Sequence, residues 1–158
     1  MKNKKLLFFI IIAVSALFIL SSCSNAGISL SLSPNPIEFD EDNLEQDLEL
    51  TVKTTGFGSL SLDNMIVEVI DENDDVIFDE EEEIDVSSPV IGGITEKVSY
   101  KLDLKDVFDP AEYDDYSSDT DFTEFYNKYL KDQDKEHTLR ITVTGSNDSS
   151  LTVDIIYK

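Results

Sequence analysis

Three stretches of this chain alternate apolar and polar residues with a period of two. They are Ile28-Ser29-Leu30-Ser31-Leu32, Leu48-Glu49-Leu50-Thr51-Val52-Lys53, and the run in which Val98, Tyr100, Leu102 and Leu104 interleave with Ser99, Lys101 and Asp103. Successive side chains of a β-strand point to opposite faces, so each stretch reads as a strand with one buried face. Met65 to Ile70 is denser in Ile and Val and reads as a central strand. Asp71 to Asp75 is a turn cluster, after which Val76-Ile77-Phe78 returns as a short strand. Glu80 to Glu83 reads as a solvated edge, because adjacent carboxylates are too costly to bury together. Leu139, Ile141 and Val143, then a turn at Gly145 to Asp148, then Leu151, Val153 and Ile155, predict a closing hairpin. Pro34-Asn35-Pro36 ends or kinks the first strand, since proline cannot donate to a sheet ladder.

Seven short strands on short connections predict a mainly β fold, an antiparallel β-sandwich. The expected core comprises Leu30, Leu50, Val52, Val67, Val69, Val98, Tyr100, Leu102, Ile141, Val143 and Val153. One segment departs from the strand period. Phe122, Phe125, Tyr126, Tyr129 and Leu130 fall at i, i+3, i+4, i+7 and i+8, an apolar stripe on one helical face. The spacing predicts a helix near Asp121 to Lys131, capped by Asp121 with Glu124 three residues on, or by Asp119 or Thr120. Asp109-Pro110 predicts a shorter helical turn. Residues 107–136 are thus an insertion carrying one amphipathic helix before the last two strands, its aromatic face packed over an end or edge of the sheet.

The N-terminal residues have a different purpose. Lys2, Lys4 and Lys5 precede an apolar run from Leu6 to Leu20 broken by Ser15, the layout of a secretory signal peptide. A membrane span needs about 20 apolar residues, so the run is short for one. Leu20-Ser21-Ser22-Cys23 follows directly. This resembles the lipobox of bacterial lipoproteins: an aliphatic residue, two small residues and a cysteine. The resemblance implies a diacylglycerol on the Cys23 sulfur, cleavage just before it, and an acylated new N-terminus (a palmitate-type anchor). It also implies a cell-envelope location, lipid-anchored on the outer membrane or the extracytoplasmic face, periplasmic or surface-exposed; Ser24, not Asp, favours the outer membrane in a Gram-negative cell. The expected organisation is a signal peptide over 1–22, a lipidated tether over 23–27 and a single sandwich domain over 28–158.

Composition sharpens what the mature chain can do. The whole sequence has 158 residues, 34 acids, 12 bases and a net charge of −22. Residues 1–22 hold three lysines and no acid, leaving nine bases and a net charge of −25. Such a chain does not coat nucleic acid, where Lys and Arg must neutralise phosphates. One cysteine excludes an internal disulfide framework and a Cys/His zinc cluster. The stretch from Leu48 to Leu104 resembles the immunoglobulin-like and fibronectin-III-like modules of cell-envelope proteins. The likeness rests on Leu-x-Leu-x-Val before a glycine turn, Val-x-Val-x-Asp with an acidic turn, and Gly93 before Tyr100-x-Leu102-x-Leu104. Such modules are spacers or binding platforms.

No catalytic motif is present. His137, beside Glu136 at a strand start, reads as an exposed or edge histidine without a nucleophile or orienting group in sequence reach. Asp71, Asn73, Asp75, Asp79 and Glu82 occupy positions 1, 3, 5, 9 and 12 of a twelve-residue loop, the oxygen-ligand spacing of an EF-hand, but Val76 stands where that loop needs glycine. A solvated hairpin turn is the better reading. Asp114, Asp115, Asp119 and Asp121 form a second acidic cluster with no recognised ligand order. The expectation is therefore a non-enzymatic envelope lipoprotein, an interaction or structural module with no cofactor and no metal site. Its expected partners are the membrane, through Cys23, and another envelope protein or a glycan. The alternative is a calcium- or ligand-binding envelope protein using the Asp71–Glu82 loop.

Overall fold

The computed structural model describes residues 27–158 apart from 92, 94 and 118, and their side chains except at 57–60 and 85–91. The expected signal peptide over 1–22 and Cys23 lie outside the described residues. Eight strands are described: β1 (Gly27–Ser33), β2 (Ile37–Phe39), β3 (Glu45–Thr55), β4 (Phe57–Ile70), β5 (Val76–Ile91), β6 (Thr95–Asp103), β7 (His137–Gly145) and β8 (Ser149–Tyr157). They form two sheets, one in the order β1-β3-β6 and one in the order β2-β8-β7-β4-β5. Between β6 and β7 lie a short helix α1 (Leu104–Val107), a 3₁₀ turn (Pro110–Glu112) and a second helix α2 (Phe122–Phe125).

The strand order identifies the fold. Take β3 to β8 as the B, C, C′, E, F and G strands of an immunoglobulin-like sandwich. One sheet is then A-B-E, and the other is G-F-C-C′ extended by the second half of the first strand. This is the expected sandwich, with one correction: β2 runs parallel to β8, pairing Ile37 with Ile155 and Phe39 with Tyr157. The expectation of purely antiparallel strands failed at Pro34-Asn35-Pro36. There the chain leaves β1 at Ser33 and crosses to the opposite sheet without reversing direction. Both prolyl bonds, Ser33-Pro34 and Asn35-Pro36, are cis.

The alternating residues do what their period requires. Leu50, Val52, Val67, Val69, Tyr100, Leu102, Ile141, Val143 and Val153 are buried between the sheets. Leu30 and Val98 are half-buried instead, because β1 and β6 are the outer strands of the three-stranded sheet and are covered from one side less completely. The β7–β8 hairpin pairs as expected, from His137 opposite Ile155 to Val143 opposite Ser149. β5 is much longer than the expected three residues, because the acidic run does not end the strand. It continues along β4, with Glu80 opposite Val67 and Glu83 opposite Asn64.

A bulge in β4 between Leu62 and Asn64 is matched on β7 by Gly145. A Cβ there would come within 2.2 Å of the Ser61 carbonyl oxygen, so glycine lets the two backbones meet.

Candidate functional site

The strand ends sort the connections onto two poles. β1 starts beside the end of β3, with Gly27 opposite Thr55, so the β3–β4, β5–β6 and β7–β8 turns share that pole. The turn at 71–75 and the whole 104–136 insertion lie at the other pole, about 35 Å away at roughly 3.3 Å per residue along the eleven-residue β3. The candidate site is this insertion pole.

Three aspartates start its helical turns. Asp103 accepts from Lys105 N, Asp109 from Ala111 N and Asp121 from Thr123 N, each at 2.9 Å. Each satisfies an amide that a helix start leaves unpaired. Asp121 is thus the cap. Glu124, the other half of the expected capping box, pairs with Lys128 instead. The expected helix is real but changes form. After Phe125 it widens to i→i+5 hydrogen bonds over Tyr126–Lys131, with Asp132 N donating to Asn127 O at 2.9 Å.

The aromatic stripe packs onto the sandwich, as its spacing requires. Phe125, Tyr126 and Leu130 are fully buried, while Phe122 and Tyr129 pack half-buried beside them. Phe125 is the hub, with Phe108, Tyr113, Tyr116, Phe122 and Tyr129 ring centroids within 5.1–6.1 Å. Burial and the acidic neighbours Glu112 and Asp71 push the Tyr113 hydroxyl up to about 12. Tyr126 reaches further: its hydroxyl donates to Phe39 O at 2.8 Å and accepts from Lys158 N at 3.1 Å. One side chain of the insertion therefore ties β2 to the residue after β8.

His137 corrects its sequence reading. It is 5 % exposed, not an exposed or edge residue. Its ring meets Phe108 edge-on at 5.2 Å, and its Nδ1 lies 3.0 Å from the Tyr157 hydroxyl. Sequence could not reveal this, because Phe108 arrives from the insertion and Tyr157 from the neighbouring strand β8, 20 positions on. Burial drives the His137 pKa below its ordinary value, while Glu72 and Asp71 pull it back upward. Beside it Lys135 bonds Glu72 at 3.0 Å and lies 5.1 Å from the Tyr129 ring centre. An open groove of about 420 Å³ runs past His137 and Tyr157, bordered by Leu130, Lys135, Asp154 and Ile156. Among the described residues no carboxylate hydrogen-bonds the imidazole. Its hydrogen-bond partner is the Tyr157 hydroxyl.

The residues at calcium-loop spacing do not converge. The Asp71 carboxylate accepts from the Asn73 and Asp75 amides, both at 2.9 Å, and from Asn73 Nδ2 at 3.1 Å. These bonds hold its pKa below the usual carboxylate value. Asp74 closes the turn with φ at 66°, in the left-handed region that Asp tolerates. Asp79 and Glu82 then lie along β5, opposite Glu68 and Met65, and three residues apart they fall on opposite faces. Among the described residues no group of three or more His, Cys, Asp or Glu is placed to hold a metal ion. Asp114, Asp115 and Asp119 are exposed on the insertion.

One polar contact escaped the sequence altogether. The Tyr100 hydroxyl on β6 donates to Glu80 Oε2 on β5 at 2.8 Å, joining the two sheets across the side of the sandwich. Burial and the adjoining Glu80 raise the Tyr100 pKa, so the hydroxyl stays a donor. The alternation places Tyr100 inward, but its partner belongs to the other sheet.

No protein-family model matches the chain, and no curated protein matches it either. Similar solved structures include a protein from Archaeoglobus fulgidus, 9 % identical with a TM-score of 0.47, covering 82 % of this chain and 94 % of that one. The CARDB domain of a Pyrococcus furiosus protein, in complex with di-metal ions, is 8 % identical with a TM-score of 0.38, covering 84 % and 96 %. A β-glucosidase from Listeria innocua, in complex with glucose, is 15 % identical with a TM-score of 0.39; the match covers 84 % of this chain but 16 % of the enzyme. These likenesses are too distant to carry an argument, and the fold assignment rests on the strand order.

Proposed function

We propose that the protein is a membrane-anchored cell-envelope lipoprotein whose sandwich is a non-catalytic interaction or structural module. The observation that supports this reading is the placement of Cys23, the lipobox cysteine, four residues ahead of Gly27, where β1 begins. Four residues reach at most about 15 Å. An acylated Cys23 would hold the β3–β4 and β7–β8 turns next to the bilayer and project the insertion pole away from it. Two or more acyl chains make such an anchor secure, at about 0.8 kcal/mol per buried methylene. Cys23→Ala tests the reading. The expected result is an uncleaved precursor that no longer labels with palmitate and fails to enter the detergent phase. A variant that is still processed and still retained by membranes would overturn it.

A further inference from the structure

We propose that the outer edge of β5 between Val76 and Ile84 is a docking edge for an extended Lys/Arg-rich segment of a partner protein, which adds to the sheet as a further strand. β5 ends the five-stranded sheet and is hydrogen-bonded to β4 on one side. Half of an edge strand's N–H and C=O groups point away from its neighbour and can pair with an incoming chain. The opposite side of the sandwich is closed, because the chain crosses there from β1 to β2 and β1 lies against β8. On the open side β5 and β6 are both outermost, and the Tyr100–Glu80 hydrogen bond already joins the sheets behind the edge. An added strand would not have to displace it.

Charge selects the occupant. Asp79 to Glu83 are five consecutive acids, and among the described residues no Lys or Arg forms an ion pair with any of them. Glu80 and Glu82 share the face of their partners Val67 and Met65, while Asp79, Glu81 and Glu83 share the other. Antiparallel pairing with a second copy would set this run against itself, which like charges directly opposite disfavour. A cationic strand meets carboxylates on both faces, so its basic residues must be consecutive, not alternating. The proposal rests on the interaction-module reading but not on the lipid: Cys23→Ala leaves the edge intact, so the two readings fail separately.

The test uses the full-length protein in detergent and a ten-residue peptide with five central lysines flanked by threonine and valine. Its control is the same peptide N-methylated at every central amide, which keeps the charge but cannot donate to a neighbouring strand along either edge. Binding of the plain peptide, at least about tenfold tighter than the control, with slowed amide exchange along β5, is expected. Asp79→Asn with Glu81→Gln and Glu83→Gln should weaken binding by about tenfold, whereas Asp114→Asn with Asp115→Asn and Asp119→Asn should not. Equal binding of both peptides, or equal losses in both triple variants, would reduce the effect to bulk charge and overturn the proposal. So would absence of binding, which would make the acids a guard against strand pairing, or dimerisation of the protein through β5.

Discussion

His137 shows how one buried ring couples the fold to pH. Its pKa lies below the ordinary 6.5 because burial disfavours the charged form. Well above pH 6.5 the ring is neutral in both folded and unfolded chains and has no effect on stability. As pH falls through that value the unfolded chain takes up the proton first, and native stability drops. Asp71, Glu68 and Glu72, held below their usual 3.8–4.5, lose their contributions only at lower pH, so the two windows separate. Urea unfolding at pH 7.5 and 5.0 should therefore show the wild type losing more stability on acidification than His137→Asn. Equal losses would mean that the ring is solvated in the folded state. A second residue-scale prediction concerns Tyr100. Tyr100→Phe removes the link to Glu80 and should lower stability by about 1 kcal/mol, since Glu80 is itself exposed and can turn to water.

At the scale of elements the insertion is the part that departs from a plain sandwich, and its packing decides its rigidity. Phe125 is fully buried at the centre of five aromatic neighbours. Phe125→Ala should lower stability by about 3–5 kcal/mol, the range for emptying an aromatic core site, and should raise amide exchange across 104–136 before the strands respond. Asp121→Ala, which strips one cap, should lower it by about 1 kcal/mol. The aromatic spacing from Phe122 to Leu130 was enough to place a helix and choose its buried face. The widened turn after Phe125 has no signal in the local spacing; its first residue, Tyr126, reaches Phe39 and Lys158, residues distant in sequence. β2 carries no sequence signal for a related reason. Three residues are too few to display a period, and Ile37–Phe39 is a strand because β8 offers it an edge.

The whole molecule is dominated by its charge. With a net charge of −22 over the full sequence, mutual repulsion opposes the folded state most strongly when salt is low. The Debye length shrinks from about 30 Å at 0.01 M to about 8 Å at 0.15 M salt. The melting temperature should therefore rise with sodium chloride over this range. Calcium and magnesium at matched ionic strength should raise it equally, because the Asp71 carboxylate is already occupied by amide donors and Asp79 and Glu82 face apart along β5. A rise specific to calcium, abolished by Asp71→Ala with Asp75→Ala, would revive the alternative of a calcium site.

What the sequence determined by itself is whatever acts between near neighbours. Alternation made the strands and most of the core, and aspartates before helical turns made the caps. Each depends on spacings of a few residues, which backbone geometry converts directly into faces and ends. The tertiary structure decided the rest. It crossed the first strand between sheets, buried His137 between Phe108 and Tyr157, hung Tyr126 on Phe39 and Lys158, and left β5 as an open acidic edge. Those outcomes join segments separated by 20 positions, from His137 to Tyr157, up to 118, from Ile37 to Ile155. No local period encodes them, because they follow from which buried faces the two sheets and the insertion must share.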